Sequence, residues 1–372
     1  MHTCVAAIVL VTAVTAAAES VRAQAPASRP AWTKVRPGEV QALVVQYAGR
    51  TMPVDTLARE IIREITGQRV WGEYNPTVLL LAWTWQGETW KQEPLVVVGD
   101  PALQERVGLA KDRKRFCYGE LVGNERLAAL RRAAEPGAAE SAELSSRERA
   151  MARSAAEVSE RLRLLEAVFE GQVLRVVPPA TDAEAAWVTV ADAGSQEGIG
   201  PAEQEKIRAE WQALRAAFLA GDTAGFRQAG KSLDKTLAGL KSPAWPDKNL
   251  MVLEVLYNFA RPFRAGWALT LAATAAGLVS LALSGKWVRW VRYAVWGLLI
   301  DGAGILTVGL LVRWKCCGHN PVATVNELLI LMGWGVVAIG IVTMLVARQK
   351  AALPIVAAVA TGVLVLADST LG

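Results

Sequence analysis

A few side chains in the last third of this sequence could do chemistry inside or beside a membrane. Asp301 stands in Leu299-Ile300-Asp301-Gly302, near the middle of a long apolar run. A carboxylate at mid-bilayer depth is costly unless it is paired, protonated or wetted, so it is a functional candidate by default. The blander reading is a protonated acid bonded to a neighbouring helix. Glu327 opens the next apolar run, where it serves either a functional role or the positive end of a helix dipole. Between them lies Arg313-Trp314-Lys315-Cys316-Cys317-Gly318-His319-Asn320-Pro321. His319 is one of two histidines, the other being His2 near the start. One imidazole cannot by itself build a bis-histidine haem site or a metal centre. Cys316 and Cys317 are adjacent, and a bridge between adjacent cysteines is strained, so no structural disulfide is expected there. With Cys4 and Cys117 they make four cysteines in all, with neither a disulfide framework nor zinc spacing. No glycine-rich phosphate loop, paired carboxylates or Ser/His/Asp arrangement is present. No catalytic residue and no metal ligand is therefore assigned.

The elements that must position these residues fall into two halves. The chain has 372 residues, of which 52% are hydrophobic, and these are concentrated after residue 264. Four segments, 266–284, 291–312, 328–347 and 351–366, approach the roughly 20 apolar residues needed to cross a bilayer. Lys286, Arg289 and Arg292 follow the first segment, and Arg348 and Lys350 follow the third. Both clusters lie on one side if the N-terminal half lies on the other, as the positive-inside rule asks. Arg261, Arg264, Arg313 and Lys315 weaken that asymmetry. Residues 1–25 read as a signal peptide or N-terminal anchor, with small residues Ala16-Ala17-Ala18 closing an apolar run. Residues 26–260 are then an exported, periplasmic domain, and 261–372 the transmembrane helices of an inner-membrane, multi-pass protein.

Within the exported domain, 40–46 reads as a short strand and 57–65 shows helical periodicity, with Asp55 as its expected N-cap and Gly67 as its C-cap. Pro76 opens a second helix through Trp85, and 94–98 reads as a buried strand. The segment 133–146 reads as a flexible surface stretch, and 146–170, 201–220 and 223–240 as amphipathic helices. The expected fold is a membrane α-helical bundle of about four spans preceded by a mainly helical α+β domain. The net charge of +5 is spread along the chain, which leaves no nucleic-acid footprint.

Three stretches in order resemble the cytochrome c assembly family of system II, the CcsA/ResC type. Gly49-Arg50-Thr51-Met52-Pro53-Val54-Asp55-Thr56-Leu57-Ala58-Arg59-Glu60 is similar to that family's G-R-x-x-P-x-D-T-L-A-R-E. Glu254-Val255-Leu256-Tyr257-Asn258 with Pro262-Phe263 is similar to its E-x-x-Y-N…P-F entry to the first span. Arg313 with Gly318-His319-Asn320-Pro321 and Glu327 resembles its R-x-x-x-x-G-H-x-P-x-x-N-x-Y-E, although the Asn and Tyr positions hold Thr324 and Asn326. The resemblance implies carriage or presentation of haem for attachment to apocytochrome c. His319 is then the tentative haem-related residue, with Asp301, Arg313 and Glu327 as further candidates. The partners implied are apocytochrome c, other system II assembly proteins or a split C-terminal half, and the lipid bilayer. The family's Trp-rich haem-binding segment is absent, and Leu306 stands where many members place a membrane histidine. The resemblance therefore implies a chain that is not by itself a complete haem lyase. The alternatives are a membrane-anchored scaffold with an exported binding domain, and a transporter subunit using Asp301 and Glu327.

Overall fold

The computed structural model describes residues 30–134, 145–282, 285–317, 325–347 and 352–370, with the backbone alone at some helix ends. Two 3-10 turns, Ala31–Lys34 and Gly38–Ala42, lead into a hairpin of β1 (Val44–Tyr47) and β2 (Arg50–Pro53). The strand expected over 40–46 is thus partly a 3-10 turn. Ala48 and Gly49 close the hairpin at φ of 50° and 79°. Two positive-φ residues give a turn whose twist matches that of the paired strands.

β2 runs directly into α1 (Val54–Thr66). Its buried Val54, Leu57, Ala58, Ile61, Ile62 and Ile65 recur at three- and four-residue steps, so one face is apolar throughout. Gly67 ends the helix in the left-handed conformation, as its lack of a side chain allows. Asp55 is not the cap. Pro53 holds that position and Asp55 is the second helical residue, fully buried, because its carboxylate is claimed by partners described below.

α2 (Pro76–Trp85) starts where Asn75 accepts a bond from the Thr77 amide and Pro76 supplies a preset φ. Short elements follow: α3 (Gly87–Trp90), β3 (Val96–Val97), α4 (Pro101–Val107), β4 (Arg115–Phe116), α5 (Tyr118–Val122) and α6 (Glu125–Ala134). β3 pairs antiparallel with β4, and is shorter than the strand expected at 94–98. α7 (Ser146–Phe169) opens on a reciprocal Ser145/Glu148 capping box and packs on α1 and α2. α8 (Pro201–Ala220) and α9 (Thr223–Gly239) form an antiparallel pair turning at Gly221. Much of the expected flexible stretch, 135–144, lies outside the described residues.

Large rings tie these pieces into one core. Trp32 stacks on Phe218 with centroids 5.9 Å apart, and Trp85 meets Phe218 edge-on at 4.9 Å. Trp83 meets Trp90 edge-on at 6.2 Å. Such pairs add specificity to the large apolar area that each ring buries.

α10 (Lys248–Ala260) begins at Asp247, whose side chain accepts from the Asn249 amide. It ends at Arg261, which adopts the left-handed conformation at φ 46°. The next residue, Pro262, opens α11 (Pro262–Ala282). α12 (Trp287–Cys317), α13 (Val325–Ala347) and α14 (Ala352–Thr370) complete the helices among the described residues. Together α11 to α14 overlap the four predicted apolar segments, of which residues 283, 284 and 351 lie outside the described residues. Among the described residues one helix, Trp287–Cys316, is long and apolar enough to cross a membrane. α11 packs on both α12 and α14, and α14 packs on α13. Their shared interior is small and aliphatic: Ala273, Val295, Leu299, Val337, Ala357 and Ala360. Their outer surfaces carry exposed Leu278, Ile300, Val308, Met332, Ile339 and Val359.

Candidate functional site

The residues of the first two sequence motifs meet in a polar network at the foot of the N-terminal domain. Arg50 opens β2, and its Nη2 donates to Glu254 Oε1 at 2.7 Å and to the Cys316 carbonyl at 3.4 Å. Thr56 Oγ1 donates to the same Glu254 oxygen at 2.8 Å. Asn258, one turn beyond Glu254 on α10, donates from Nδ2 to Asp55 Oδ2 at 3.1 Å and to Thr56 Oγ1 at 2.9 Å. Arg59 grips both Asp55 oxygens, at 2.8 Å and 3.2 Å. Asp55 and Glu254 are buried, so each charge needs these partners to offset its desolvation. The network locks α1 and β2 to α10, and Arg50 extends it to the end of α12.

Next to this network lies a cavity of about 280 Å³. The N-terminal domain contributes Arg50, Arg59, Arg63 and Arg69 to its wall. The start of α11 and the end of α12, with the link before them, contribute Arg261, Arg264 and Arg313. These seven guanidinia face two carboxylates, Glu60 and Glu254. Arg261 reaches the wall from a left-handed backbone that a side chain adopts only at a cost, and such strain gathers at functional sites. Pro262, Phe263 and Tyr257 add an apolar margin, with Tyr257 and Phe263 edge-to-face at 6.1 Å.

Glu60 is exposed at the residue level on α1 and opens onto the cavity, with protein atoms crowding its carboxyl. Burial raises its pKa above the ordinary carboxylate value, and Glu254 adds to the rise. Arg50, Arg63 and Arg313 oppose it. Two buried polar atoms of the adjoining network, Glu254 Oε2 and Arg50 Nε, have no hydrogen-bond partner among the described residues. Each would be satisfied by a bound water or ligand atom.

No protein-family model matches this chain. The chain is 25% identical over 309 residues to Protein NrfI of Wolinella succinogenes, which covers 78% of this chain and 32% of that protein. It therefore spans about a third of the length of the curated relative that it matches. This distant likeness runs through most of the chain.

Of the residues singled out from sequence, Arg313 is brought to the cavity with the other two motifs. Cys316 also lines it. Asp301 is elsewhere: it is exposed on α12, about 18 Å along the helix from Arg313 at 1.5 Å per residue. It has no hydrogen-bond partner among the described residues. Glu327 falls in the first turn of α13, where only the backbone is described, and His319 lies outside the described residues. Leu306 is fully buried, and a Cβ added to Gly266 would stand 2.5 Å from its side chain. That position is taken by helix packing.

The sequence reading missed Arg63, Arg69, Arg261 and Arg264 as site residues. Arg261 and Arg264 left a signal, being basic residues on the wrong side for the positive-inside pattern. Arg63 and Arg69 left none, because a surface arginine on a helix or loop is common.

Proposed function

We propose that this chain is a membrane component of cytochrome c maturation that handles haem as its cargo and works with a further polypeptide. The observation that carries this reading is the meeting of the first two motifs, whose Arg50 and Glu254 lie 204 residues apart in sequence, with Arg313 of the third around one cavity. The likeness to Protein NrfI supports a role in cytochrome c maturation. The outward apolar side chains of α11 to α14 support reading all four helices as spans, since an exposed belt of that extent in water is an association hazard. Exposed Trp287, Trp290 and Tyr293, beside Lys286, Arg289 and Arg292, suit the interface at the end away from the cavity. On this reading that end is cytoplasmic, and the N-terminal domain with its cavity is on the exported side.

The described residues include no histidine, and Leu306 cannot ligate iron. Axial ligands for haem would come from His319 or from the further polypeptide, which would also present the apocytochrome. The chain's own part is to bind and orient.

The test is an in-frame deletion in the native host, read by covalent haem staining and a pyridine haemochrome assay of membrane fractions. Loss of c-type cytochromes, restored by the intact gene, is expected. Co-expression with the product of the adjacent reading frame should give a Soret band stronger than that of the chain alone. Normal cytochromes in the deletion strain would leave an anchored scaffold as the better description.

A further inference from the structure

Resting on the haem-handling reading, we propose that the arginine-lined cavity is an anion site that takes the paired carboxylates of the haem side chains, leaving the macrocycle outside. Guanidinium groups match carboxylates in shape and charge, forming two parallel bonds, and they stay protonated at any physiological pH. Seven of them line this cavity against two glutamates, with Asp55 behind the wall already held by Arg59. Among the described lining residues the arginines outnumber the acids. One of them, Glu60, is itself biased toward its neutral form by burial. Like charges gathered at low-dielectric walls repel one another and raise the local concentration of anions.

Size points to an end group and not to a whole ligand. About 280 Å³ lies below the range of roughly 300–1,000 Å³ typical of sites that engulf a small molecule. Two carboxylates fit such a space, and a flat apolar ring system would lie beyond the mouth against Tyr257, Phe263 and Pro262. The cavity also stands where α11 starts and α12 ends, so a ligand held there by its acids would lie along the bundle's edge. An amphiphile with a two-acid end is the chemistry this arrangement suits. A lipid phosphate shares the anionic end, and the experiment separates the two sources.

The full chain would be placed in phosphatidylcholine nanodiscs and titrated with ferric protoporphyrin IX and with its dimethyl ester, in which the acids are masked. The free acid is expected to bind at least tenfold more tightly than the ester. Arg63→Gln and Arg313→Gln should each weaken the free acid by three- to tenfold and leave the ester unchanged. Arg63→Lys, which keeps the charge, should recover part of the loss. Equal binding of acid and ester, no binding by the wild-type chain, or arginine variants that bind as wild type would each overturn the assignment. So would phosphatidylglycerol nanodiscs that abolish haem uptake, which would give the cavity to a lipid headgroup. Equal binding of the ester alongside lost cytochromes in the deletion strain removes only the cavity assignment. Normal cytochromes in that strain remove the maturation role itself.

Discussion

The N-terminal domain and the helical bundle are held together by opposite kinds of side chain. The domain is centred on bulky rings and branched aliphatics such as Trp32, Trp83, Phe116 and Phe218, all nearly inaccessible. The bundle meets through Ala273, Ala357, Ala360 and glycines such as Gly266 and Gly333, and turns its large residues outward. In water, burying large apolar area drives folding. Between helices in lipid there is no such gain, and close approach of small residues supplies the contact instead. On the proposed reading of α11 to α14 as membrane spans, the two halves are built for different solvents, and their junction needs a third means of attachment. The polar network from Arg59 through Asp55, Asn258, Thr56 and Glu254 to Arg50 is that attachment.

The contrast can be broken at its strongest point first. Trp83→Ala should destabilise the N-terminal domain by about 3–5 kcal/mol, the usual cost of emptying a buried tryptophan site. Thermal melts should show that domain's transition falling while the bundle's is unchanged. Glu254→Ala should cost roughly 3 kcal/mol, the low end for breaking a buried pair because Arg50 is 30% exposed. Its signature would be positional: limited proteolysis should cut near Arg261, where α10 meets α11, much faster than in the wild-type chain. Gly266→Val should cost about 1–3 kcal/mol by overpacking against Leu306, with loss of helix association in detergent and no change in the N-terminal domain.

The smallest effect concerns pH. Burial raises the Glu60 pKa above its ordinary value of 4.5, so the folded chain holds this proton more tightly than the unfolded one. The associated stability is present below 4.5 and is lost as pH rises through the higher folded value. Glu60→Gln should therefore flatten the fall of the thermal midpoint as pH rises above 4.5. An identical slope in the variant would show that Glu60 does not titrate as the cavity requires.

Much of the local structure was legible in the sequence for identifiable reasons. The α1 periodicity, the Asn75-Pro76 start of α2 and the Gly67 stop are short-range signals that act within one turn of helix. The apolar segments after residue 264 were equally plain, because each is a long run of apolar residues with few charges. The failures were at positions where a distant partner outweighed a local preference. Asp55 has the right type and place for a cap, yet it is buried because Arg59 and Asn258 reach it. The residues 40–42 look extended, yet they turn because Val40 packs into the core.

The candidate site divides in the same way. The sequence by itself determined that Arg50, Thr56, Glu254, Asn258 and Arg313 belong to motifs, and that Asp301 and Glu327 lie in or beside apolar helices. Tertiary structure decided that the motif residues form one network and one cavity, that Asp301 stands apart from it, and that Leu306 is a packing residue. It also turned Arg261, Arg264 and Arg313 from exceptions to a charge rule into parts of a cavity wall. The reason is that a helix or hairpin is fixed by interactions within a few residues, whereas a cavity is fixed by where distant elements dock. No spacing along the chain encodes that docking, and here it is set by the aromatic core on one side and the glycine contacts on the other.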